Sequence, residues 1–428
     1  MPSIPQPNPR VSCMKSFLLS SRRCLAVLAA PFCQKRDAIH PAAKPAGELH
    51  EYATHLYIIS NGTRRSPLVT ISLCMIVKDE EVLLPRCLES IQGLVEEVIV
   101  VDTGSSDRTV ELAQQAGAQV YHFPWVGDFS QARNFSFSKA TQQYCLWMDA
   151  DDVLDAQYRP GFLQLKAALP PHTDVVMLPY HTAFDQAGAP TFTYYRERLI
   201  RRLAGLRWSG AVHEAIPPVG NVVYWDKAAI SHRKPGPGDP DRNLGIYQGL
   251  LAQGKTLSPR ERFYYARELA SHGREEEAAA QWEEYLASGE GWVENQREAC
   301  RDLSACYLRQ GKGEEAFRAL AKALRLGPPR AELCCDFGAF FLERGDYPAA
   351  VFWYEAALTR PREDRSGAFV SPDCYGYLPC IQLCVCYYRM GDVERSREYN
   401  RRAGQYKPQD PTFLYNQRFF QGVGEALS

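Results

Sequence analysis

The sequence lacks three features that would each point to a particular class of protein. No apolar run approaches the roughly 18 residues needed to cross a bilayer, and even segment 71–77 is interrupted by Ser72. Lys and Arg total 49 against 50 Asp and Glu, so no overall basic charge attracts nucleic acid or anionic lipid. Cysteines with the dense, regular spacing of small secreted scaffolds are also missing. We therefore expect no transmembrane segment and no nucleic-acid partner.

The fourteen cysteines that are present are scattered along the chain. The pair 334–335 and the cluster 380–386 contain no CxxC motif and have no flanking histidine, so we interpret them as buried helix positions. Reduced thiols favour a cytoplasmic location, with a peripheral association with a membrane left open. Residues 1–67 are rich in Pro, Ala and Arg, and predict a poorly ordered lead or a misassigned start, with a secretory signal as the alternative.

Strand and helix patterns alternate from residue 68 onward, which predicts an α/β domain with a mostly parallel sheet that becomes mixed. The stretch 234–241, KPGPGDPD, is rich in Pro and Gly and carries no periodicity, so it marks a boundary. We predict a catalytic-type domain at 68–235, a linker at 236–241 and an all-helical domain at 242–428.

Four glycines in the helical part, at 273, 311, 345 and 391, each separate two helical patterns. Their spacings of 38, 34 and 46 bracket the 34-residue period of tetratricopeptide (TPR) repeats. The prediction is a TPR-like arm, with an ordinary helical bundle as the alternative. Such an arm would bind a peptide or protein, or mediate self-association, because stacked helical repeats present extended surfaces.

Carboxylates follow the apolar strand YCLWMDADD. Strand alternation would place Asp149 and Asp151 on one face, where their repulsion, on the order of 4 kcal/mol at about 4 Å, favours a bound cation. Oxygen ligands suit Mg²⁺ or Mn²⁺. We expect Asp152 to face the other way, as a helix N-cap outside the metal site. The alternative is a solvated turn.

Another acidic residue, Asp102, ends the strand EVIVVD and is followed by TGSSD and a helix. Ligands of open α/β sheets collect at such strand ends. The same loop could be a structural turn, because Gly104 permits a tight turn and the serines suit a helix cap.

Several motifs occur in an order that resembles glycosyltransferase family 2, the inverting GT-A enzymes, over residues 68–235. They are ISLCMIVKDEE, RCLESI, VIVVDTGSSDRT, WVGDFSQARN, LWMDADD and WSGAVHE. With helical repeats behind this domain, the chain also looks like the peptide S-glycosyltransferases of the sublancin type.

The resemblance implies a role for particular residues. Asp102 would contact the nucleotide base, and Asp149 with Asp151 would hold ribose, metal and diphosphate. The implied donor-binding residues are Val77, Lys78, Glu80, Asp102, Arg133, Asn134, Asp149 and Ala150. The implied metal ligands are Asp149, Asp151 and His232. For Arg133 and Asn134 the alternative is a helix-surface residue and a cap, and for His232 a structural role.

Glu214 follows RWSGAVH, where the family keeps its catalytic carboxylate, so the resemblance implies that it is the general base. His213-Glu214 departs from the acidic pair common in the family, which leaves Asp185 and Glu197 as other candidates. Trp208 would stack on the acceptor or pack beneath the sheet, and we favour packing.

The expected activity is inverting transfer of a sugar from a nucleoside diphosphate, with UDP-sugar as the donor and a divalent ion as cofactor. The acceptor would be a peptide or a cell-surface glycan. One alternative is a sugar-nucleotide nucleotidyltransferase, although the loop KDEEVLLPRC lacks the glycines which that class needs. Another is a non-catalytic TPR scaffold with a degenerate sugar-nucleotide-binding domain.

Overall fold

A computed structural model describes residues 68–185, 188–234, 236 and 238–426, with side chains through residue 421. The predicted lead at 1–67 lies outside these residues. Within them, nine strands form one mixed sheet: β1 Ile71–Val77, β2 Glu97–Asp102, β3 Gln119–His122, β4 Tyr144–Trp147, β5 Asp152–Val153, β6 Val175–Phe184, β7 Pro190–Arg201, β8 Val222–Tyr224 and β9 Ile230–His232.

The strand order is β3-β2-β1-β4-β7-β6-β9-β5, and β8 also pairs with β6. The first four strands along this order are parallel, whereas β7 is antiparallel to both β4 and β6. This arrangement confirms the predicted α/β class with a largely parallel sheet that becomes mixed.

Helices cover both faces of the sheet: α1 Leu84–Ile91, α2 Thr109–Gln115, α3 Phe129–Lys139 and α4 Arg159–Ala168. Alternation along β1 explains the two cores. Leu73 and Met75 pack in the core that includes α1, and Cys74 packs in a second core with Phe135 and Phe137 of α3. Because both faces are buried, the open edge at the strand ends is where a ligand can approach.

One predicted strand differs from the structure, because β4 ends at Trp147, where its pairing with β1 stops. Residues 149 to 151 therefore form a turn, and Asp152 begins β5. Asp149 and Asp151 therefore do not share a strand face, contrary to the prediction, because they lie in a turn.

Ten helices follow in the described part of the chain: α5 Arg242–Ala252, α6 Pro259–Ser271, α7 Glu275–Ser288, α8 Val293–Arg309, α9 Gly313–Ala323, α10 Ala331–Glu343, α11 Tyr347–Leu358, α12 Tyr377–Arg389, α13 Val393–Tyr406 and α14 Pro411–Ala426. The four glycines each connect the two helices of a pair and have φ values of 74° to 84°, a conformation that other residues rarely adopt. The predicted TPR-like arm is confirmed.

Ion pairs between successive repeats follow the same period. Arg267 of α6 contacts Asp302 of α8 at 2.7 Å, and Arg301 of α8 pairs with Asp336 of α10. Each partner lies 35 residues ahead, so equivalent positions of neighbouring repeats carry equivalent charges. None of the described helices is both long and apolar enough to cross a bilayer.

The long connection between α11 and α12 folds back onto the first repeats and the sheet domain. Phe369 packs on Phe263 of α6 with ring centroids 6.0 Å apart. Arg365 pairs with Asp226, and its carbonyl accepts a hydrogen bond from Tyr224 Oη. The arm is therefore attached to the sheet domain through contacts well beyond the linker.

Candidate active site

The turn after β4 presents its first and third residues to solvent and buries the second. Asp149 and Asp151 have side chains that are 36% and 15% exposed, whereas Ala150 packs in the main core. The turn is closed by Asp152, whose backbone N donates to Asp149 O at 3.0 Å and whose Oδ2 accepts from Asp149 N at 3.1 Å. This closure holds the two partly exposed acids at the edge of the sheet.

Asp152 is not a helix cap, contrary to the sequence-based expectation. It is fully buried, and its carboxylate accepts from Arg198 Nη1 at 2.8 Å and from Tyr180 Oη at 2.8 Å. Burial alone would raise the pKa of Asp152, but the charges of Arg198 and His232 hold it well below the usual range. The buried carboxylate is therefore ionised.

His232 of β9 pairs with Asp152 of β5 in the sheet. The Nδ1 atom of His232 is 3.3 Å from Asp151 Oδ1 and 3.6 Å from Asp152 Oδ1. This nitrogen is buried and makes no well-formed hydrogen bond to the described residues. Burial opposes protonation, yet the nearby carboxylates of Asp151 and Asp152 raise the pKa of His232 to about 10. A protonated ring at this position balances the charge of these acids.

Asp151, Asp152 and His232 form a group that could hold a metal ion, with one ligand atom from each within 4.8 Å of the others. The sequence-based set contained Asp149 in place of Asp152. Asp149 instead forms an ion pair with Arg133 at 2.8 Å. Both oxygens of Asp152 are already used by Arg198, Tyr180 and the backbone, so Asp151 and His232 are the members free to exchange partners.

The loop after β1 adds a further acid to this edge. Burial, followed by the charges of Asp151 and Asp149, raises the pKa of Glu80 to about 7. Val77 and Lys78 lead into the loop, with Val77 paired to Asp102 in the sheet and Lys78 exposed. A cation bound beside these carboxylates would relieve their mutual repulsion.

Asp102 ends β2 beside that loop and is 4% exposed. Its carboxylate accepts from Ser105 N at 3.0 Å and Gly104 N at 3.2 Å, and lies 3.2 Å from His122 Nδ1. Burial opposes ionisation, but these hydrogen bonds lower the pKa of Asp102. The loop around Asp102 is thus a structural turn, and it also borders the acidic edge.

Hydrogen bonds join the loops after β1 and β2. Asp79 Oδ1 accepts from Ser106 N at 2.7 Å, and Glu80 N donates to Thr109 Oγ1 at 2.7 Å. Because Glu80 also lies near enough to experience the charges of the acidic turn, the three loops lie close together at the carboxyl ends of β1, β2 and β4.

Arg133 connects the acidic turn to the candidate base. Its Nη2 donates to Asp149 Oδ1 at 2.8 Å, and its Nε donates to Glu214 Oε1 at 2.7 Å. The residue is 6% exposed, and its guanidinium lies 4.9 Å from the Trp147 ring centroid and 5.0 Å from that of Trp208. It is therefore a buried bridging residue and not a helix-surface arginine.

Asn134, predicted to bind the donor, has both amide atoms committed elsewhere. Its Nδ2 donates to Trp208 O at 2.9 Å, and its Oδ1 accepts from Trp208 N at 3.0 Å. Trp208 is 3% exposed and packs edge-on against Trp147, which confirms the packing interpretation. Asn134 thus holds the start of the segment that leads to Glu214.

Of the carboxylates considered for the base, Glu214 lies next to the acidic turn. Its side chain is 12% exposed, and its Oε2 has no hydrogen-bond partner among the described residues. Glu197 is 1% exposed and pairs with Arg196 at 3.1 Å. Asp185 lies in the β6–β7 turn, where it accepts from Ala189 N.

Two arginines of β7 also belong to the site, although they were not predicted from the sequence. Arg196 and Arg198 lie over the Trp147 ring at 4.8 and 3.8 Å from its centroid. The motif TYYRERLIR contains a signal for them, because alternation puts both arginines on one face of a strand in an otherwise apolar sheet.

A family model described as glycosyl transferase family 2 matches residues 72–215. The chain is 31% identical over 333 residues to a TPR repeat-containing protein of Synechococcus elongatus, an alignment that covers 71% of this chain and 70% of that protein. Residues 72–215 therefore form a glycosyltransferase family 2 domain, and the chain carries TPR-like repeats behind it.

Two further relatives are named as glycosyltransferases. The lipopolysaccharide core biosynthesis glycosyltransferase LpsC of Rhizobium meliloti is 31% identical over 40% of this chain and 65% of its own length. The prophage-derived glycosyltransferase SunS of Bacillus subtilis is 25% identical over 51% of this chain and 53% of its own length. The alignment thus spans less than two thirds of LpsC and about half of SunS.

The different environments of two adjacent aspartates generate a stability prediction. Asp152→Asn should lower the free energy of unfolding of the sheet domain by about 3–5 kcal/mol, because it leaves Arg198 buried without its counter-charge. Asp151→Asn should cost less than about 1 kcal/mol, because its ion pair with His232 is partly exposed. Urea unfolding followed by tryptophan fluorescence measures both changes, and equal losses would contradict the assignment.

Proposed function

We propose that the chain is an inverting glycosyltransferase that moves a sugar, a hexose, from a UDP-sugar to a peptide or a cell-surface glycan. The bridge from Asp149 through Arg133 to Glu214 carries this proposal. It places a candidate base beside the acidic edge where a sugar nucleotide would bind.

The donor would lie along the three connected loops. Asp102 borders the nucleoside end of this surface, and the acidic turn borders the diphosphate end. Lys78 and Glu80 lie at the same edge in the loop after β1, whereas the side chains of Val77 and Ala150 pack in the main core, so we assign these two residues to the donor surface through their backbone only. Asp149 belongs to the donor side through its ion pair with Arg133, and we assign Asn134 to positioning Trp208 instead of binding the donor.

The residues present fit a divalent ion. Two groups would hold Mn²⁺ or Mg²⁺: the Nδ1 atom of His232, which has no hydrogen-bond partner among the described residues, and the partly exposed carboxylate of Asp151. Asp152 and Asp149 are the neighbouring carboxylates. When bound, the ion supplies positive charge that stabilises the departing diphosphate. Binding of the divalent ion would release the proton of His232, because an imidazole that binds a metal must be neutral.

The base chemistry follows from the surroundings of Glu214. Arg133 holds one carboxylate oxygen, Oε1, and leaves Oε2 available to the acceptor. As the acceptor atom bonds to the anomeric carbon, its proton passes to Oε2. The bond from that carbon to the diphosphate oxygen breaks on the opposite side, and its electron pair leaves with the nucleoside diphosphate. Attack and departure on opposite faces invert the configuration.

One relative and one sequence resemblance support the choice of acceptor classes. The name of LpsC assigns it to lipopolysaccharide core biosynthesis, which is consistent with a glycan acceptor here. The peptide acceptor rests on the resemblance of the chain to peptide S-glycosyltransferases of the sublancin type, and SunS, named as a glycosyltransferase, is similar over about half of this chain. The TPR-like arm would add a surface for a peptide, for another protein or for a second copy of the chain.

A panel of sugar nucleotides with Mn²⁺ tests the activity. The wild-type chain should release UDP from one UDP-sugar, and Asp151→Ala should lower this turnover about a hundredfold or more without unfolding the domain, because charge on the diphosphate is no longer balanced. Circular dichroism checks the fold of the variant. Near-normal turnover by Asp151→Ala would refute the metal assignment, and release of pyrophosphate would indicate a nucleotidyltransferase.

Glu214→Gln tests the base. The amide keeps an oxygen for Arg133 but cannot accept a proton, so turnover should fall about 10²- to 10⁴-fold while the affinity for UDP stays unchanged. Titration calorimetry with UDP and Mn²⁺ separates binding from turnover. The variant Asp185→Asn should retain turnover. Loss of UDP affinity in Glu214→Gln would make Glu214 a donor-binding residue.

A further inference from the structure

We propose that the first TPR-like repeat positions the general base, with Arg260, Tyr264 and Glu268 of α6 acting on Glu214 through its neighbour His213. This inference rests on the proposed function of Glu214. It assigns the arm a part in the transfer step itself, in addition to any role in binding a partner.

The segment that carries Glu214 is a closed loop. Ser209 and Ala215 pair in both directions, with N to O distances of 3.1 Å, so residues 210 to 214 project from a narrow neck. Ala211 and Val212 at the tip of this loop are 3% exposed. They pack in the hydrophobic core of the arm, so the loop is part of the arm as much as of the sheet domain.

His213 is the principal contact. Its Nε2 lies 2.8 Å from Glu268 Oε1, and its ring stacks on Tyr264 with centroids 4.2 Å apart and an angle of 16° between the planes. Its carbonyl accepts from Arg260 Nη2 at 2.9 Å and from Nε at 3.2 Å. Both the ring and the backbone of the residue before Glu214 are therefore held by one helix.

The backbone of His213 needs this support. Its φ is 51°, in the left-handed region that a non-glycine residue adopts at a cost. Asn243 of α5 donates to the same Glu268 oxygen at 3.1 Å, which fixes that carboxylate in turn. The strained conformation directs the next residue, Glu214, back toward Arg133 in the sheet domain.

A second set of hydrogen bonds attaches the loop tip. Ala211 N donates to Glu261 Oε1 at 3.1 Å, and Ala211 O accepts from Phe129 N at 2.8 Å. Glu261 also forms the capping box that begins α6 with Ser258. Phe129 begins α3, the helix that carries Arg133. Glu214 is thus located from two sides, by α3 through Arg133 and by α6 through His213.

Kinetics of full-length variants test the positioning role. Glu268→Ala removes the partner of the His213 ring, and kcat for the UDP-sugar found in the donor panel should fall about tenfold or more, because small displacements of a base are costly. The donor KM should stay unchanged, because the donor surface lies on other loops. Glu268→Gln keeps an oxygen for His213 and should restore most of kcat.

A double-variant cycle distinguishes positioning from general stability. In a Glu214→Gln background, Glu268→Ala should lower kcat by no more than about twofold, because the group on which it acts is already lost. Asp336→Ala is the matched control, since it removes an ion pair between arm helices far from the loop. It should lower the melting temperature and leave kcat unchanged.

The outcomes separate the two proposals. If wild-type chain turns over no sugar nucleotide, or Glu214→Gln turns over normally, the proposed function fails and the positioning role with it. If Glu214→Gln is inactive as expected but Glu268→Ala keeps wild-type kcat, the positioning role alone is overturned. The positioning role would also be overturned if Glu268→Ala lowered kcat equally in the wild-type and Glu214→Gln backgrounds. It would likewise be overturned if Asp336→Ala lowered kcat as much as Glu268→Ala does.

Discussion

The guanidinium of Arg133 is buried between Trp147 and Trp208 and donates to carboxylates from two distant parts of the chain, Asp149 and Glu214. A buried cation must be paired, and removing either carboxylate would leave it undercompensated. This requirement places the acidic turn and the loop of Glu214 in one site. The position of the donor surface and the position of the base are thereby coupled by a single side chain.

The remaining charges of the site follow the same rule. Asp152 is neutralised by Arg198, and His232 balances Asp151 where it is partly exposed. The buried Asp152 is thus paired with an arginine, whereas the partly exposed Asp151 is paired with a histidine that can lose its proton. A site built in this way keeps its fold when Asp151 and His232 exchange partners, as binding of a divalent ion would require.

Much of the fold could be predicted because its signals are local: apolar runs define β1 and β2, and glycines mark the helix turns of the arm. The site was less accessible because its partners are distant in sequence. Asp152 was taken for a cap, since its partner Arg198 lies 46 residues away. Asn134 was predicted to bind the donor, since its hydrogen-bond partner Trp208 lies 74 residues away. Motifs identified which residues gather at the edge, but not how their charges are paired.

A crystal structure of the chain with Mn²⁺ and UDP would locate both ligands, because the anomalous scattering of manganese identifies the ion independently of any turnover. We expect a manganese peak within coordination distance of the Asp151 carboxylate, with the nucleoside beside the loop of Asp102 and Glu214 still near Arg133. Manganese and UDP bound at another surface, with the acidic turn empty, would contradict the proposed site.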